Sequence, residues 1–128
     1  MNGIRDHFGL HDDALALRSK RNNILASNIA NAATPHFKAR DLDFEATLAK
    51  AMPVGPIATT NNHHINRAAS SPGNSLGYRT PINPSLDGNT VELAVEQMEF
   101  SENVIHYQTS LTFLNRKISG LMSAIKGE

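Results

Sequence analysis

The last third of the chain carries apolar side chains at a seven-residue spacing, which is typical of a helix packed along a partner helix. From Thr90 onward two rows of positions follow this spacing, the second lying four residues after the first. The first row is Leu93, Phe100, Tyr107, Leu114 and Leu121, and the second is Gln97, Val104, Leu111, Ile118 and Ile125. This alternation predicts one long helix over residues 90–128, with the apolar members of both rows as a coiled-coil interface.

A shorter and more polar helix is predicted at the other end of the chain. Its recurring positions are Leu10, Leu17, Ile24 and Asn31, with Ala14, Arg21 and Asn28 interleaved. Pro35 ends this helix, because proline pushes the residue before it out of the α region. The three apolar positions are expected to face the C-terminal helix. Asn28 and Asn31 either specify the register of that pairing at a cost in stability or lie where the helix end frays into solvent.

The middle of the chain contains all six prolines and has no sustained periodicity. Residues 41–52 predict a short amphipathic helix, with Leu42, Phe44, Leu48 and Met52 as its apolar positions. The stretch from Pro53 to Leu76 is too polar to order unaided, so it is expected to be ordered by a partner.

These patterns predict a mainly α fold of two long terminal helices packed as an antiparallel coiled coil. An irregular, Pro/Gly-rich middle segment joins them and contains a short helix and room for short strands. The segments are residues 1–33, 34–89 and 90–128. Asn89 is the expected N-cap of the last helix, with Glu92 three residues later as the acidic half of a capping box.

Composition excludes several classes of function. Lys plus Arg number 12 and Asp plus Glu also number 12, so the chain has no net positive charge for a nucleic-acid or anionic-membrane partner. Cysteine is absent, which rules out disulfides and Cys-ligated metals. No stretch is long and apolar enough to insert directly into a bilayer. The charged N-terminal residues do not resemble a secretory signal, so any export is expected to proceed without a cleaved one.

Candidate chemistry in the sequence is sparse. His7 and His11 would share a helix face, and His63 and His64 are adjacent, but no acidic residue completes a zinc-protease motif. Nothing resembles a nucleophile elbow or a phosphate-binding loop. Neither a metal, a cofactor nor an enzymatic activity is expected. The basic cluster Arg18, Lys20 and Arg21 is either a solvated helix face or the mate of the Glu-rich start of the last helix.

The segment that closes the N-terminal helix reads NIANAATPHFK over residues 28–38. An Ala-Asn pair, a Thr-Pro pair two residues later and a following aromatic resemble the signature shared by the rod and hook proteins of the bacterial flagellum. The signature positions are Asn28, Asn31, Thr34, Pro35 and Phe37. Four further stretches narrow the resemblance to proximal rod proteins: KARDLDF at 38–44, HHI at 63–65, YRTP at 78–81 and PSLDGNTV at 84–91. His36 replaces the usual glycine, which implies strain if the turn needs a positive φ.

The resemblance implies a structural subunit of the periplasm-spanning basal-body rod that assembles helically and joins the membrane ring to the outer axial structures. Its implied partners are further copies and other rod proteins, the ring protein, the adaptor at the rod base and the flagellar type III export apparatus. Phe44 and Leu48 resemble an export-gate motif, or else they pack inward on the short helix. The alternative function is a soluble helical adaptor or secretion chaperone that holds a partner helix.

Overall fold

A computed structural model of the chain describes the backbone of residues 3–51 and 76–127, and the side chains of 8–50 and 76–127. The elements are α1 (Gly3–Ala30), β1 (Arg40–Leu42), α2 (Phe44–Ala51), β2 (Leu76–Tyr78) and α3 (Leu93–Lys126). The mainly helical class and the two long terminal helices are therefore confirmed. The expectations for Met52, for His63 and His64, and for most of the Pro53–Leu76 stretch lie outside the described residues.

The two long helices pack side by side in opposite directions. Asn28, near the end of α1, contacts Glu96 near the start of α3. Asn22 contacts Asn103 further along α3, and Lys117 lies 5.9 Å from the centre of the Phe8 ring near the start of α1. Since residue numbers fall along α1 as they rise along α3, the pairing is antiparallel.

The interior of the described chain is more polar than apolar. Its buried apolar side chains are Leu25, Ala39 and Leu42, and its buried polar ones are Asn28, Thr47, Asn89, Glu96 and Asn103. A buried polar group without a partner costs roughly 1–3 kcal/mol, and each of these five side chains forms at least one hydrogen bond. The positions of the elements are therefore tied to hydrogen bonding as much as to apolar packing.

The row of α3 that faces α1 differs from the predicted one. Glu96 and Asn103, seven residues apart, are completely buried and form its centre. The first predicted row contributes Phe100, Tyr107 and Leu114, which are half-buried, whereas Leu93 and Leu121 are exposed. In the second predicted row Val104 is half-buried, and Leu111, Ile118 and Ile125 are exposed. The spacing of apolar residues does not indicate this arrangement, because the buried polar residues of α3 depend on hydrogen-bond and ion-pair partners from other elements.

A similar offset of one residue occurs on α1. Leu25 is fully buried, while its predicted neighbour Ile24 is half-buried. Leu17 is also half-buried, and Leu10 is 41% exposed. The second row of α1, which contains Arg21 and Asn28, is closer to the observed interface, because Asn28 is buried and Arg21 binds Glu99 of α3. Within the chain, the predicted rows thus lie at the border of the helix pair and only partly inside it.

The short helix begins later than its periodicity predicts. Residues 40–42 form β1 instead, which pairs antiparallel with β2 in the register Arg40 to Tyr78 and Leu42 to Leu76. The Asp43 carboxylate accepts a hydrogen bond of 3.0 Å from the Ala46 N–H, as an N-terminal cap does. This cap fixes the start of α2 at Phe44 and frees the preceding residues for the strand.

The predicted N-cap of the last helix is wrong. The α3 helix starts at Leu93, and Glu92 occupies the cap position without a side-chain hydrogen bond to the helix. The Glu92 carboxylate instead accepts hydrogen bonds from the backbone N–H groups of Ile82 and Asn83. At its other end α3 stops at Gly127, whose φ of 77° and N–H bond to the Ser123 carbonyl form a left-handed C-cap. None of the described helices combines the length and the apolar character needed to cross a membrane.

Replacing Leu25 with Ala should lower the free energy of unfolding by about 2–5 kcal/mol, because the Leu25 side chain is fully buried. Leu10→Ala is the matched control, since it removes the same atoms from a side chain that is 41% exposed. Urea unfolding of the purified protein, followed by circular dichroism, measures both changes. Equal losses in the two variants would contradict the observed core.

Candidate functional site

The turn that follows α1 is held first by its own side chains. The Asn31 amide donates to the Ser27 carbonyl at 2.8 Å, and its oxygen accepts from the Thr34 hydroxyl at 3.2 Å. The Thr34 N–H bonds the Asn31 carbonyl, and the Phe37 N–H bonds the Thr34 carbonyl. Four of the five predicted signature residues take part in hydrogen bonds in or beside this turn, and Pro35 lies exposed at its tip.

The buried Asn89 side chain closes the turn from the opposite side. Its amide nitrogen lies within 3.2 Å of the carbonyl oxygens of Asn31, Ala32 and Thr34. Carbonyls at a helix C-terminus lack partners within the helix, so a buried side-chain donor satisfies them directly. Asn89 therefore caps the end of α1, and sequence reasoning missed this role by assigning the residue to α3.

Backbone hydrogen bonds extend this contact into one folded unit, the turn unit, made of residues 31–39 and 85–91. The His36 N–H donates to the Asp87 carbonyl, and the Thr90 N–H donates to the Phe37 carbonyl. The Ala39 N–H donates to the Thr90 hydroxyl at 2.8 Å. Two motifs that lie 51 residues apart at their Ala39–Thr90 contact thus form a single hydrogen-bonded structure, which positions the end of α1 against the start of α3.

The centre of the turn unit holds two left-handed residues in contact. His36 has a φ of 60° and Gly88 a φ of 74°. A Cβ added at Gly88 would lie 2.9 Å from His36 Nδ1, closer than real contacts allow. The turn therefore does need a positive φ at position 36, and a non-glycine residue there costs about 1–2 kcal/mol.

Asn28 joins three elements. Its amide donates to the Arg40 carbonyl at 2.7 Å and to Glu96 Oε2 at 3.0 Å, and its oxygen accepts from the Arg40 N–H at 3.2 Å. The side chain thus pairs with the free edge of β1 much as a neighbouring strand would. Asn28 is buried, so the alternative in which it lies where the helix end frays into solvent is wrong.

An ionic cluster lies beside Asn28 and consists of Arg21, Asp41, Arg79, Glu96 and Glu99. Arg21 binds both oxygens of Asp41 at 2.9 Å and also binds Glu99 at 2.8 Å. Arg79 pairs with Asp41, and its other Nη lies 3.1 Å from Glu96 Oε1, in an ion pair without hydrogen-bond alignment. The hypothesis that the basic cluster pairs with the acidic start of the last helix is confirmed for Arg21.

Opposing effects set the protonation of this cluster. Burial alone would raise the pKa of Asp41, but hydrogen bonds from Arg21, the Leu42 N–H and Arg79 hold it below its usual value. The hydrogen bond with Asp41 raises the pKa of Arg21. Burial, helped by the neighbouring Arg21 charge, lowers the pKa of Arg18. The Arg21–Asp41 pair is therefore ionised throughout the neutral range.

Arg18 and Asn103 occupy the next layer along the helix pair. The Asn103 amide donates to the Arg18 carbonyl and the Asn22 side-chain oxygen, both at 2.8 Å. The Arg18 guanidinium lies 4.2 Å from the centre of the Phe44 ring, a favourable cation–π distance. Phe44 therefore packs partly inward, and Leu48 is half-buried on the same helix.

Sequence reasoning missed the residues that carry most of these polar contacts. Asn89, Glu96 and Asn103 lie seven residues apart, so a polar row at helical spacing was visible beside the apolar ones. Asp41 and Arg79 gave no such signal, because β-pairing alone brings them together. In the described ranges, no group of three or more His, Asp or Glu side chains is placed to hold a metal ion.

Apolar side chains remain uncovered along α3. Six of the exposed ones lie in its second half: Leu111, Phe113, Ile118, Leu121, Met122 and Ile125. Single exposed apolar residues are normal, but a continuous set along one helix marks an interaction surface. This surface and the turn unit are the two features suited to contacts with other chains.

Comparison of the sequence with known proteins finds a family and full-length relatives. The model of the family described as "Flagella basal body rod protein" matches residues 11–38, which include most of α1 and its signature turn. "Flagellar basal body rod protein FlgB" of Cereibacter sphaeroides is 60% identical over 128 residues and covers 100% of both chains. The proteins of the same name from Aeromonas hydrophila and Salmonella typhimurium are 49% and 45% identical, over 94% and 90% of this chain and 93% and 89% of their own.

These matches identify a structural, non-enzymatic component of the bacterial flagellum. The chain belongs to the flagellar basal body rod protein family, with FlgB proteins as full-length relatives. Its place is accordingly the basal-body rod, and the alternative of a soluble adaptor or secretion chaperone is set aside.

His36→Gly should raise the free energy of unfolding by about 0.5–1 kcal/mol, because relief of left-handed strain exceeds the entropy cost of glycine. Gly88→Ala should lower it by more than about 1 kcal/mol in the parent chain and by less in the His36→Gly background, where the 2.9 Å clash is absent. Chemical denaturation of the four proteins measures this coupling.

Gly9→Ala serves as the control for these changes, since nothing lies within 4 Å of its added Cβ and the residue is helical. It should stabilise the protein by about 0.5–1 kcal/mol. Independent, additive effects of the substitutions at 36 and 88 would contradict the contact between them.

Stability should fall as the pH drops through the acidic range, because Asp41 has a lowered pKa in the folded state. Its contribution is fully present above the unfolded value of about 3.9 and is lost as the pH falls toward the folded value. Asp41→Asn should cost about 1.5–3 kcal/mol at neutral pH and flatten this dependence. Glu45→Gln, an isosteric change at an exposed position of α2, is the control and should leave the profile unchanged. Denaturation midpoints at several pH values test the difference.

Proposed function

We propose that the chain is a subunit of the proximal rod, which assembles helically, connects the membrane ring to the rest of the axial structure and transmits torque. The uncovered apolar side chains of α3 carry this proposal. No helix among the described residues covers them, and burial of each would contribute at most roughly 1.5–3 kcal/mol, in proportion to its exposed fraction. Neighbouring subunits that cover them would complete the coiled-coil interface that the two apolar rows predict.

The interior of the chain supports the same function. The fully buried contacts between the two long helices are largely polar, and such contacts add modest net stability. A subunit of this kind gains much of its apolar burial only when neighbours are present, so folding and assembly are coupled. The turn unit, with Pro35 and His36 at its surface, fixes how the two long helices are presented to those neighbours.

The implied partners extend beyond copies of the chain. They are other rod proteins, the basal-body ring protein, the adaptor at the rod base, and the flagellar type III apparatus that exports the subunit. The position at the base of the rod, where it spans the periplasm, rests on the resemblance to FlgB proteins. No nucleic acid and no cofactor enter this function.

Leu111→Asp should abolish motility while changing the unfolding free energy of the purified subunit by less than about 1 kcal/mol. Leu111 is 40% exposed, so the charge is tolerated in the free chain but would be buried unpaired between packed subunits. Soft-agar motility and the amount of the protein in detergent-extracted basal bodies measure the effect. Leu114→Asp, at a half-buried position against α1, should also destabilise the free subunit.

Asn115→Asp, an isosteric change at an exposed position of α3, is the control and should leave motility intact. Normal swimming of the Leu111→Asp strain would contradict a buried α3 surface in the rod.

Phe44 and Leu48 are further proposed as the export-gate motif. Both are half-buried in the folded chain, and Arg18 covers Phe44, so recognition would require α2 to be unfolded. Phe44→Ala with Leu48→Ala should reduce secretion of the subunit severalfold in a strain that cannot build the rod. Glu45→Gln with Lys50→Gln changes the same helix without touching the motif. Normal secretion combined with failed rod assembly would assign Phe44 and Leu48 to packing instead.

A further inference from the structure

The loop before α3 presents two aliphatic side chains to solvent in a fixed position. Ile82 is 82% exposed, and the Leu86 side chain is fully exposed. The backbone beneath them is anchored, because the N–H groups of Ile82 and Asn83 bond the Glu92 carboxylate and the Gly88 N–H bonds the Ser85 carbonyl. A rigid loop that holds large apolar groups outward is suited to insertion into a partner. Ile82 and Leu86 are here called the knob.

The far side of α3, away from α1, carries a shallow depression of about 410 Å³. It is lined by Ile105, Gln108, Thr109, Thr112, Phe113 and Arg116. Ile105 is 63% exposed and Phe113 is 58% exposed. This depression therefore combines two large apolar side chains with three polar residues and one cation, and it is separate from the row that faces α1.

Charge complementarity connects the two surfaces. Asp87 follows Leu86 directly, and hydrogen bonds from the Ser85 hydroxyl and the Asn89 N–H hold the pKa of its exposed carboxyl below the usual value. Arg116, at one end of the depression, has no ion pair with any residue that the structure describes. An aliphatic knob beside a carboxylate matches an apolar depression beside a free guanidinium.

The two surfaces cannot meet within one chain. The knob is tied to Glu92 at the start of α3, and the centre of the depression at Thr112 lies about 30 Å further along the helix axis. A contact between different surfaces of identical chains is heterologous, and such contacts build open helical assemblies unless they close into a ring. Both halves of this contact are present on every copy.

We propose that the knob of one copy inserts into the α3 depression of a second copy, with Asp87 paired to Arg116. This contact deepens the proposed rod function and rests on it, since it supplies one repeating link of a helical assembly. A contact made by two aliphatic side chains and one ion pair is small beside the roughly 800 Å² per partner of a typical stable complex. Isolated pairs should therefore be weak, and the contact should gain strength only when several links act together.

The chain contains no cysteine, so single cysteines can report the contact directly. Purified Leu86→Cys and Thr112→Cys proteins, mixed at high concentration under mild oxidation, should form a mixed disulfide. The matched control replaces Thr112→Cys with Ser101→Cys. Both are exposed α3 residues whose hydroxyl groups donate to the carbonyl four residues earlier.

The mixed disulfide at 86 and 112 should form about tenfold faster than the one at 86 and 101, and Arg116→Ala in the Thr112→Cys partner should reduce this preference. Equal rates for 112 and 101, or a dominant disulfide between two copies of Leu86→Cys, would overturn the proposal. If the knob binds only another rod protein, the two mixed disulfides would form at equal rates, and the proposed contact between copies would be overturned too. The assay uses the purified chain alone, so a negative result would overturn this contact without contradicting the rod function. The basal-body extraction described above tests the rod function separately.

Discussion

The buried carboxylate of Glu96 is the interaction on which the other contacts depend. It has no solvent exposure, so its charge must be balanced inside the protein. Asn28 from α1 donates to one oxygen, and Arg79, just after β2, lies 3.1 Å from the other. Arg79 in turn binds Asp41 of β1, which binds Arg21 of α1. One buried charge on α3 thereby fixes the positions of a helix and both strands.

A core of this kind has consequences for stability. Apolar burial inside the chain is limited to few large side chains, with Leu25 the only large apolar residue among those with no exposure in the described ranges. Buried ion and amide networks specify an arrangement more than they stabilise it. The subunit is thus folded in a defined register while much of the apolar surface of α3 stays available. For a protein that becomes one part of a long assembly, this division places specificity inside the chain and apolar burial between chains.

The turn unit is stabilised by residues from two motifs that are far apart in the sequence. Asn31, Thr34 and Phe37 hold the turn, but it is Asn89 from the second motif that satisfies the carbonyls at the end of α1. Because the turn unit links the end of one long helix to the start of the other, it sets their relative position before any neighbour is bound. Left-handed backbone at His36 and Gly88 is needed to bring the two segments together, and the surrounding hydrogen bonds maintain it.

The sequence by itself determined the helical class, the approximate span of both long helices, the end of α1 before Pro35 and the family signature. These features follow from local causes: periodicity, proline sterics and residues close together in the chain. It did not determine which row of α3 faces α1, the role of Asn89, or the strand at residues 40–42. Those depended on partners far away in sequence, since Glu96 and Asn103 can be buried only where Asn28, Asn22 and Arg79 meet them. Apolar spacing indicates where a helix can be covered, and only the tertiary structure decided whether the covering group is apolar, polar or another chain.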